Sequence, residues 1–137
     1  MDRRLTYLAA FLGFTGVSFG AFGAHGLKAL VRELPDAADR LGWWETASRY
    51  HLMHALAVLT VAVFAVHVAG NFPRFAAWAF TAGIVVFSGS LYVMAFTGLR
   101  QLGMVTPLGG LCFLAGWLAI GFGARKLGTA HPRPGEP

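Results

Sequence analysis

The sequence contains four long stretches in which hydrophobic residues follow one another without a charged position. They run from Leu5 to Ala24, from Leu52 to Ala69, from Phe75 to Phe96 and from Val105 to Ala124. A helix needs about 20 mostly apolar residues to cross a hydrocarbon core about 30 Å thick. A soluble helical bundle would instead carry a polar stripe along each helix. The pattern therefore predicts an all-α integral membrane protein with four transmembrane helices.

The connections between these helices predict the topology. Residues 70–74 separate the second helix from the third, and residues 97–104 separate the third from the fourth. Short connections make consecutive helices antiparallel neighbours. We therefore expect an up-down-up-down four-helix bundle that occupies residues 1–127 and has both termini on one side of the membrane.

The longer connection between the first two helices carries its own hydrophobic pattern. Four aliphatic residues recur there at helical spacing, namely Leu27, Leu30, Val31 and Leu34. Together with the charged positions among them, they predict a short amphipathic helix that lies on the membrane surface. After Asp36 the second helix is expected to begin outside the hydrocarbon, with Trp43 and Trp44 at the interface.

The two ends of the chain are expected to differ. Arg3 and Arg4 followed by an apolar run could be mistaken for a cleavable signal peptide, but we interpret this segment as a retained first helix. Residues 128–137 contain three prolines and no apolar pattern, so they are predicted to be a disordered, proline-rich tail.

Composition agrees with the membrane interpretation and limits the partners. Hydrophobic residues make up 56% of the chain and charged residues only 12%, against roughly a quarter in soluble domains. The net charge is +5, but the basic residues flank the apolar spans and do not form one patch. Membrane lipids are therefore the expected partners, and nucleic acid is not expected to bind.

The distribution of charge also predicts an orientation. The terminal side carries Arg3, Arg4, Arg74, Arg125, Lys126 and Arg133. The opposite side carries Lys28, Arg32, Arg40, Arg49 and Arg100, together with four of the acidic residues, Glu33, Asp36, Asp39 and Glu45. Because basic residues favour the cytoplasmic side, both termini are predicted to be cytoplasmic.

Two stripes of small residues indicate close helix packing. The first helix carries Gly13, Gly16, Gly20 and Gly23, and the fourth carries Gly109, Cys112, Gly116, Ala119 and Gly123. Small residues let helix backbones approach each other in a bilayer, where burial of Leu against Leu provides little driving force. The stripes predict packing within one subunit, and the alternative is a homo-oligomeric contact.

Polar residues concentrate at one end of the predicted bundle. The topology brings together the end of helix one, the start of helix two, the end of helix three and the start of helix four. The candidate site residues there are His25, Glu45, Tyr50, His51, His54, Ser88, Ser90, Tyr92 and Thr106. Polar groups in a membrane are costly unless satisfied, so such a cluster is a functional hypothesis by default.

Several roles for this cluster remain open at the level of sequence. The side chains could hydrogen-bond between helices, hold a lipid, quinone or other small ligand, or bind a metal through His25, His51 and His54. Ser88 or Ser90 with His54 would need a carboxylate at membrane depth to resemble a hydrolase, and none is present. We therefore favour a non-enzymatic structural or ligand-binding protein and leave its cofactor undetermined.

Two alternative functions belong to other classes. An oligomeric transporter or channel could pass a small solute or ion along the polar cluster, although proton-coupled carriers usually need an intramembrane acid. A membrane enzyme subunit could use the histidines to hold a metal or quinone. A tightly bound metal or a chromophore would favour this last alternative.

Four segments together resemble a known family. They are residues 20–27, residues 44–56 with Tyr50, His51 and His54, residues 87–92 and residues 106–110. In this order they resemble the domain-of-unknown-function family numbered 423, which is related to eukaryotic transmembrane protein 256. The resemblance extends from Leu5 to about Ala124. It implies a multi-pass protein of the bacterial inner membrane, and it implies no reaction, cofactor or catalytic residue.

Overall fold

A computed structural model of the chain describes residues 1–65, 67 and 70–125. Its membrane-spanning helices are α1 (Arg3–Val31), α2 (Ala37–Phe64), α3 (Phe72–Thr97) and α4 (Thr106–Ala124). All four are long and apolar enough to cross a bilayer, which confirms the predicted all-α membrane architecture. The tail predicted to be disordered at residues 128–137 lies outside the described residues.

Consecutive helices are antiparallel, as predicted. At the end that carries the N-terminus, called here the terminal side, the Asp2 amide donates to the Ala62 carbonyl across 2.9 Å and joins α1 to α2. At the opposite end, the loop side, the Trp44 indole of α2 donates to the Phe19 carbonyl of α1 across 2.7 Å. Extensive backbone packing in the described part of the chain occurs between helices that are neighbours in sequence, so α1 and α4 lie at the edges of the bundle.

The amphipathic segment after helix one differs from its prediction. Lys28–Val31 is helical, but it continues α1 through a π-helical segment at Gly23–Leu27 and does not form a separate helix. No proline interrupts the chain before Pro35, so the helix continues out of the hydrocarbon. The aliphatic pattern is divided between two environments, because Leu27 and Val31 are buried against the protein while Leu30 is exposed.

Charged side chains join the helix ends on the loop side. Arg40 forms an ion pair with Asp36 at 2.9 Å and donates to the Phe96 carbonyl at the end of α3. Gly98 ends α3 with a φ of +80°, a left-handed conformation that favours glycine at this position. The following 3₁₀ turn, Arg100–Met104, is held by Arg100, whose guanidinium lies 2.8 Å from Asp39.

Both small-residue stripes pack against helices of the same subunit. An added β-carbon would lie 2.8 Å from Leu52 at Gly16 and 3.0 Å from Ser48 at Gly20. On α4, a β-carbon at Gly116 would lie 2.5 Å from the Phe80 ring. These glycines therefore permit the α1–α2 and α3–α4 contacts that the sequence predicted. Gly13 does not contribute, because the space beside it is open.

The buried apolar residues form two layers. The larger layer fills the middle of the membrane span and includes Leu12, Val58 and Phe80. The smaller layer lies at the loop side and includes Leu27 and Trp44. Among the candidate polar residues, His51, His54 and Ser88 are buried together with these apolar residues.

Candidate functional site

The structure divides the predicted polar cluster into two groups with different neighbours. One group lies between α1, α2 and α3, and we call it the His51 cluster; it consists of Thr15, Trp44, His51 and Tyr92. The other lies between α2, α3 and α4, and we call it the His54 cluster; it consists of Tyr50, His54, Phe80, Phe113 and Trp117. His51 and His54 are three residues apart and so lie on the same broad face of α2, but His51 contacts α1 and α3 whereas His54 contacts α4.

The imidazole of His51 joins three helices by hydrogen bonds. Its Nε2 lies 3.4 Å from Thr15 Oγ1 on α1, and its Nδ1 lies 3.3 Å from the Tyr92 hydroxyl on α3. The Thr15 hydroxyl donates to backbone carbonyls of its own helix, at 3.0 Å from Phe11 O and 3.1 Å from Leu12 O. It therefore accepts from His51 Nε2–H, which leaves Nδ1 to accept from Tyr92. The neutral ring is satisfied at both nitrogens.

Trp44 completes this cluster and is linked to a local distortion of α1. Its indole N–H donates to the Phe19 carbonyl, which also accepts the amide of Gly23. The π-helical segment Gly23–Leu27 begins at that glycine, as occurs where a side chain inserts into the helical hydrogen-bond ladder. The Tyr92 ring lies 4.6 Å from the Trp44 ring and 4.9 Å from the Phe19 ring. The His51 cluster thus has the geometry of a joint between helices.

The imidazole of His54 is held differently and has one unused nitrogen. Its Nδ1–H donates to the Tyr50 carbonyl one turn earlier across 2.8 Å. A carbonyl can only accept, so the neutral ring carries its lone pair on Nε2. Among the described residues Nε2 forms no hydrogen bond, and the fully buried side-chain atom without a partner there is the Ser88 hydroxyl, so Nε2 is not completely enclosed by protein. His54 therefore presents a hydrogen-bond acceptor while its residue is only 3% exposed.

Aromatic rings surround this acceptor. The His54 ring stacks on Phe113 of α4 with centroids 3.6 Å apart and an angle of 10° between the planes. Phe80 lies 5.4 Å away and Trp117 lies 6.3 Å away. Tyr50 lies on the loop-side edge of the cluster, where it is 37% exposed. The arrangement can hold a flat or apolar group beside a single hydrogen-bond acceptor.

Ser88 carries a buried hydroxyl without a partner. It is fully buried, and its hydroxyl has no hydrogen-bond partner among the described residues. Ser88 is the last residue of a π-helical segment, Ile84–Ser88, in α3. With helical antiparallel geometry, Ser88 and His54 both lie roughly 5 Å deeper in the membrane than the bond between His51 and Tyr92.

We expect Ser88→Ala to raise the free energy of unfolding of the ligand-free protein by about 1 kcal/mol, because a buried hydroxyl without a partner is destabilising. The measurement is thermal unfolding in detergent. The control is Ser90→Ala, which should be destabilising, since Ser90 Oγ lies 2.8 Å from Thr106 Oγ1 and 2.9 Å from Phe87 O. A loss of stability in Ser88→Ala would show that the hydroxyl has a partner in the protein.

Ser90 and Thr106 hydrogen-bond to each other and hold two helices together. Their side-chain contact connects α3 to the first turn of α4, and Ser90 also contacts the backbone of its own helix. Both hydroxyls are therefore satisfied within the protein. They lie on the loop side with the other polar residues, but they belong to neither histidine cluster.

Two predicted site residues lie apart from both clusters. His25 lies in the π-helical segment of α1 with its side chain exposed, and Glu45 is exposed in an ion pair with Arg49 at 2.7 Å. The described residues contain no group of three His, Cys, Asp or Glu side chains arranged to hold a metal ion. The structure therefore does not bring His25, His51 and His54 together as the metal hypothesis requires.

Several residues of the two clusters were not singled out by the sequence. Phe80, Phe113 and Trp117 are aromatic residues in apolar spans, and nothing in their spacing distinguishes them from residues that face lipid. Thr15 had a weak signal, because it is one of few polar residues in the first span. These contacts depend on which helix faces lie opposite each other.

Comparison with known proteins identifies similar sequences. The family model described as "Protein of unknown function (DUF423)" matches residues 19–110. A UPF0382 membrane protein of Haemophilus influenzae is 37% identical over 126 residues, which cover 92% of this chain and 97% of the relative. The UPF0382 membrane protein YwdK of Bacillus subtilis is 42% identical, covering 87% of this chain and 94% of the relative.

A similar protein of Escherichia coli has a more specific name. The UPF0382 inner membrane protein YgdD is 38% identical over an alignment of 139 positions with gaps, which covers 95% of this chain and 98% of the relative. No solved structure matches the chain significantly. The matched region includes both histidine clusters apart from Thr15, Phe113 and Trp117.

Proposed function

This chain belongs to the DUF423 family of UPF0382 membrane proteins, and we propose from its own geometry that it is a non-enzymatic membrane protein that binds a small lipophilic ligand at the His54 cluster. The ligand belongs to the lipid or quinone class. The His51 cluster holds the helices together and does not take part in binding. The bacterial inner membrane is the proposed location, supported by the name of the similar protein YgdD.

The unused Nε2 of His54 is the observation that carries this proposal. An unpaired polar atom at membrane depth is costly, because the hydrocarbon offers no water to bond it. His51 satisfies both of its nitrogens within the protein, whereas His54 satisfies only Nδ1. A ligand that donates a hydrogen bond would satisfy the second nitrogen of His54.

The chemistry of the cluster limits the head group of the ligand. Nε2 accepts a hydrogen bond, so the head must carry an O–H or N–H group, such as the hydroxyl of a lipid or of a reduced quinone. The adjacent rings of Phe113 and Trp117 favour an apolar or flat region next to that group. The described part of the cluster contains no carboxylate. It therefore offers no negative charge that would favour a cationic head group.

A native mass spectrum of the protein extracted gently from its own membrane tests the proposal. Wild type should retain one reproducible added mass that matches a lipid or quinone. His54→Phe should lose this mass and keep its thermal stability within about 1 kcal/mol, because phenylalanine preserves the stacking on Phe113 and replaces only a local hydrogen bond.

His25→Phe is the matched control, since His25 is exposed and lies outside both clusters. It should retain the added mass at the wild-type level. The proposal is wrong if wild type carries no added mass, or if His54→Phe carries the same mass as wild type.

We also propose that both termini face the cytoplasm. On the loop side, Arg32, Arg40, Arg49 and Arg100 each pair with a carboxylate at 2.7–3.0 Å, and Lys28 has no carboxylate partner among the described residues. On the terminal side, Arg74 pairs with Asp2 at 3.5 Å, whereas Arg3, Arg4 and Arg125 have no carboxylate partner in the part of the chain that the structure describes. Unpaired cations can contact anionic cytoplasmic headgroups, which supports this orientation.

Thiol labelling in intact cells tests the orientation. In a Cys112→Ser background, a membrane-impermeant reagent should label Leu99→Cys on the loop side before lysis and Asn71→Cys on the terminal side only after lysis. Both positions are exposed. The opposite labelling order would place the termini outside the cytoplasm.

A further inference from the structure

An apolar groove extends from the His54 cluster toward the terminal side. It has a volume of about 270 Å³ and is bounded by α2, α3 and α4. Its wall includes Thr60 and Phe64 of α2, Phe72 of α3, and Trp117, Ala119 and Gly123 of α4. The groove therefore lies on the part of the helices that the hydrocarbon of the bilayer surrounds.

Trp117 connects the groove to the His54 cluster. Its ring lies 6.3 Å from the His54 ring and also forms part of the groove wall. From Trp117 to Ala124 the groove follows eight residues of α4, a rise of about 10 Å. A molecule with its head at His54 and its tail along the groove would thus remain in continuous contact with the protein.

The wall of the groove suits a hydrocarbon chain. Thr60 is the polar side chain in its wall, and the hydroxyl donates to the Leu56 carbonyl of the same helix across 2.9 Å. The small residues Ala119 and Gly123 leave room along α4. The volume lies just below the range of about 300–1,000 Å³ that encloses most small-molecule ligands, so the groove fits one chain better than a whole bulky ligand.

We propose that this groove holds the single hydrocarbon tail of the ligand whose head bonds to His54. This inference rests on the proposed function and makes it more specific. The ligand is an amphiphile with a hydroxyl-bearing head and one long chain, lying with its head toward the loop side and its tail toward the terminal side. Its affinity depends on the length of the chain as well as on the head.

The test uses 1-oleoylglycerol and 1-octanoylglycerol as probes, because they share a hydroxylated head and differ in chain length. The full-length protein in phosphatidylcholine nanodiscs is titrated with each probe, and native mass spectrometry measures bound probe per subunit. Wild type should bind the oleoyl probe at least about tenfold more tightly than the octanoyl probe.

Thr60→Phe places a ring in the groove, and Leu59→Phe adds a ring to the adjacent exposed position outside it. We expect Thr60→Phe to weaken binding of the oleoyl probe by about tenfold and Leu59→Phe to leave it unchanged. Thermal unfolding of both variants verifies that each is folded, since both side chains are partly exposed and their replacement disturbs little packing.

The outcomes separate the two proposals. If His54→Phe abolishes binding of both probes while Thr60→Phe changes neither, the head site stands and the groove proposal is wrong. If wild type binds the two probes equally, the groove does not hold the chain. If neither variant changes binding of either probe, both proposals are wrong, and the probes bind only to the lipid-facing surface.

Discussion

Replacement of Gly109 by leucine is expected to separate α4 from α3 and to lower the free energy of unfolding by about 3 kcal/mol or more. A β-carbon at Gly109 would lie 2.7 Å from the α-carbon of Phe87 and 2.6 Å from its β-carbon. The obstacle is largely backbone of the neighbouring helix, which cannot rotate away as a flexible side chain can. Only displacement of one helix would relieve the overlap.

Gly110→Leu is a matched control for this change. It adds the same side chain one residue later on the same helix, where nothing lies within 4 Å. Thermal unfolding of both variants in the same detergent measures the difference, and only Gly109→Leu should lose stability. Equal transition temperatures for the two variants would mean that α3 and α4 are not packed through Gly109.

His51→Ala is expected to lower the free energy of unfolding by about 2–3 kcal/mol. The change removes hydrogen bonds to Thr15 on α1 and to Tyr92 on α3, and hydrogen bonds between membrane helices contribute about 0.6 kcal/mol each on average. It also removes a ring that is only 4% exposed and leaves a cavity, which adds to the loss.

Two comparisons identify the source of this effect. Tyr92→Phe removes one hydrogen bond but keeps the ring, so it should cost only about 0.6–1 kcal/mol. His25→Ala should cost little, because His25 is exposed. Thermal unfolding in detergent measures all three variants. If His51→Ala were as stable as His25→Ala, the His51 cluster would not act as a joint between helices.

Substitutions of the two histidines His51 and His54 are expected to affect different properties of the protein. His51 has protein partners on both sides of its ring, so its loss should affect folding more than binding. His54 has a protein partner on one side only, so its replacement by phenylalanine should affect binding more than folding. A protein in which both substitutions act on stability alone would have two packing joints and no site.

The predicted location of the polar residues followed from topology, and the structure brings some of these residues together. The antiparallel helices bring Tyr92 to His51 and Thr106 to Ser90, as the short connections indicated. His25 lies apart from them, because α1 continues as a helix past Ala24 and leaves this side chain exposed. A count of apolar residues locates where a helix enters the hydrocarbon but not where its hydrogen-bonded backbone ends.

The amino-acid order alone was sufficient to establish four membrane spans, their alternating direction and the packing role of the glycines. Each of these follows from local chemistry, since uncharged apolar runs partition into hydrocarbon, short connections reverse the chain, and small side chains permit close backbones. The different environments of His51 and His54 could be seen only in the tertiary structure. Their hydrogen-bonding partners lie on other helices, and the rotation of those helices is set by packing among all four.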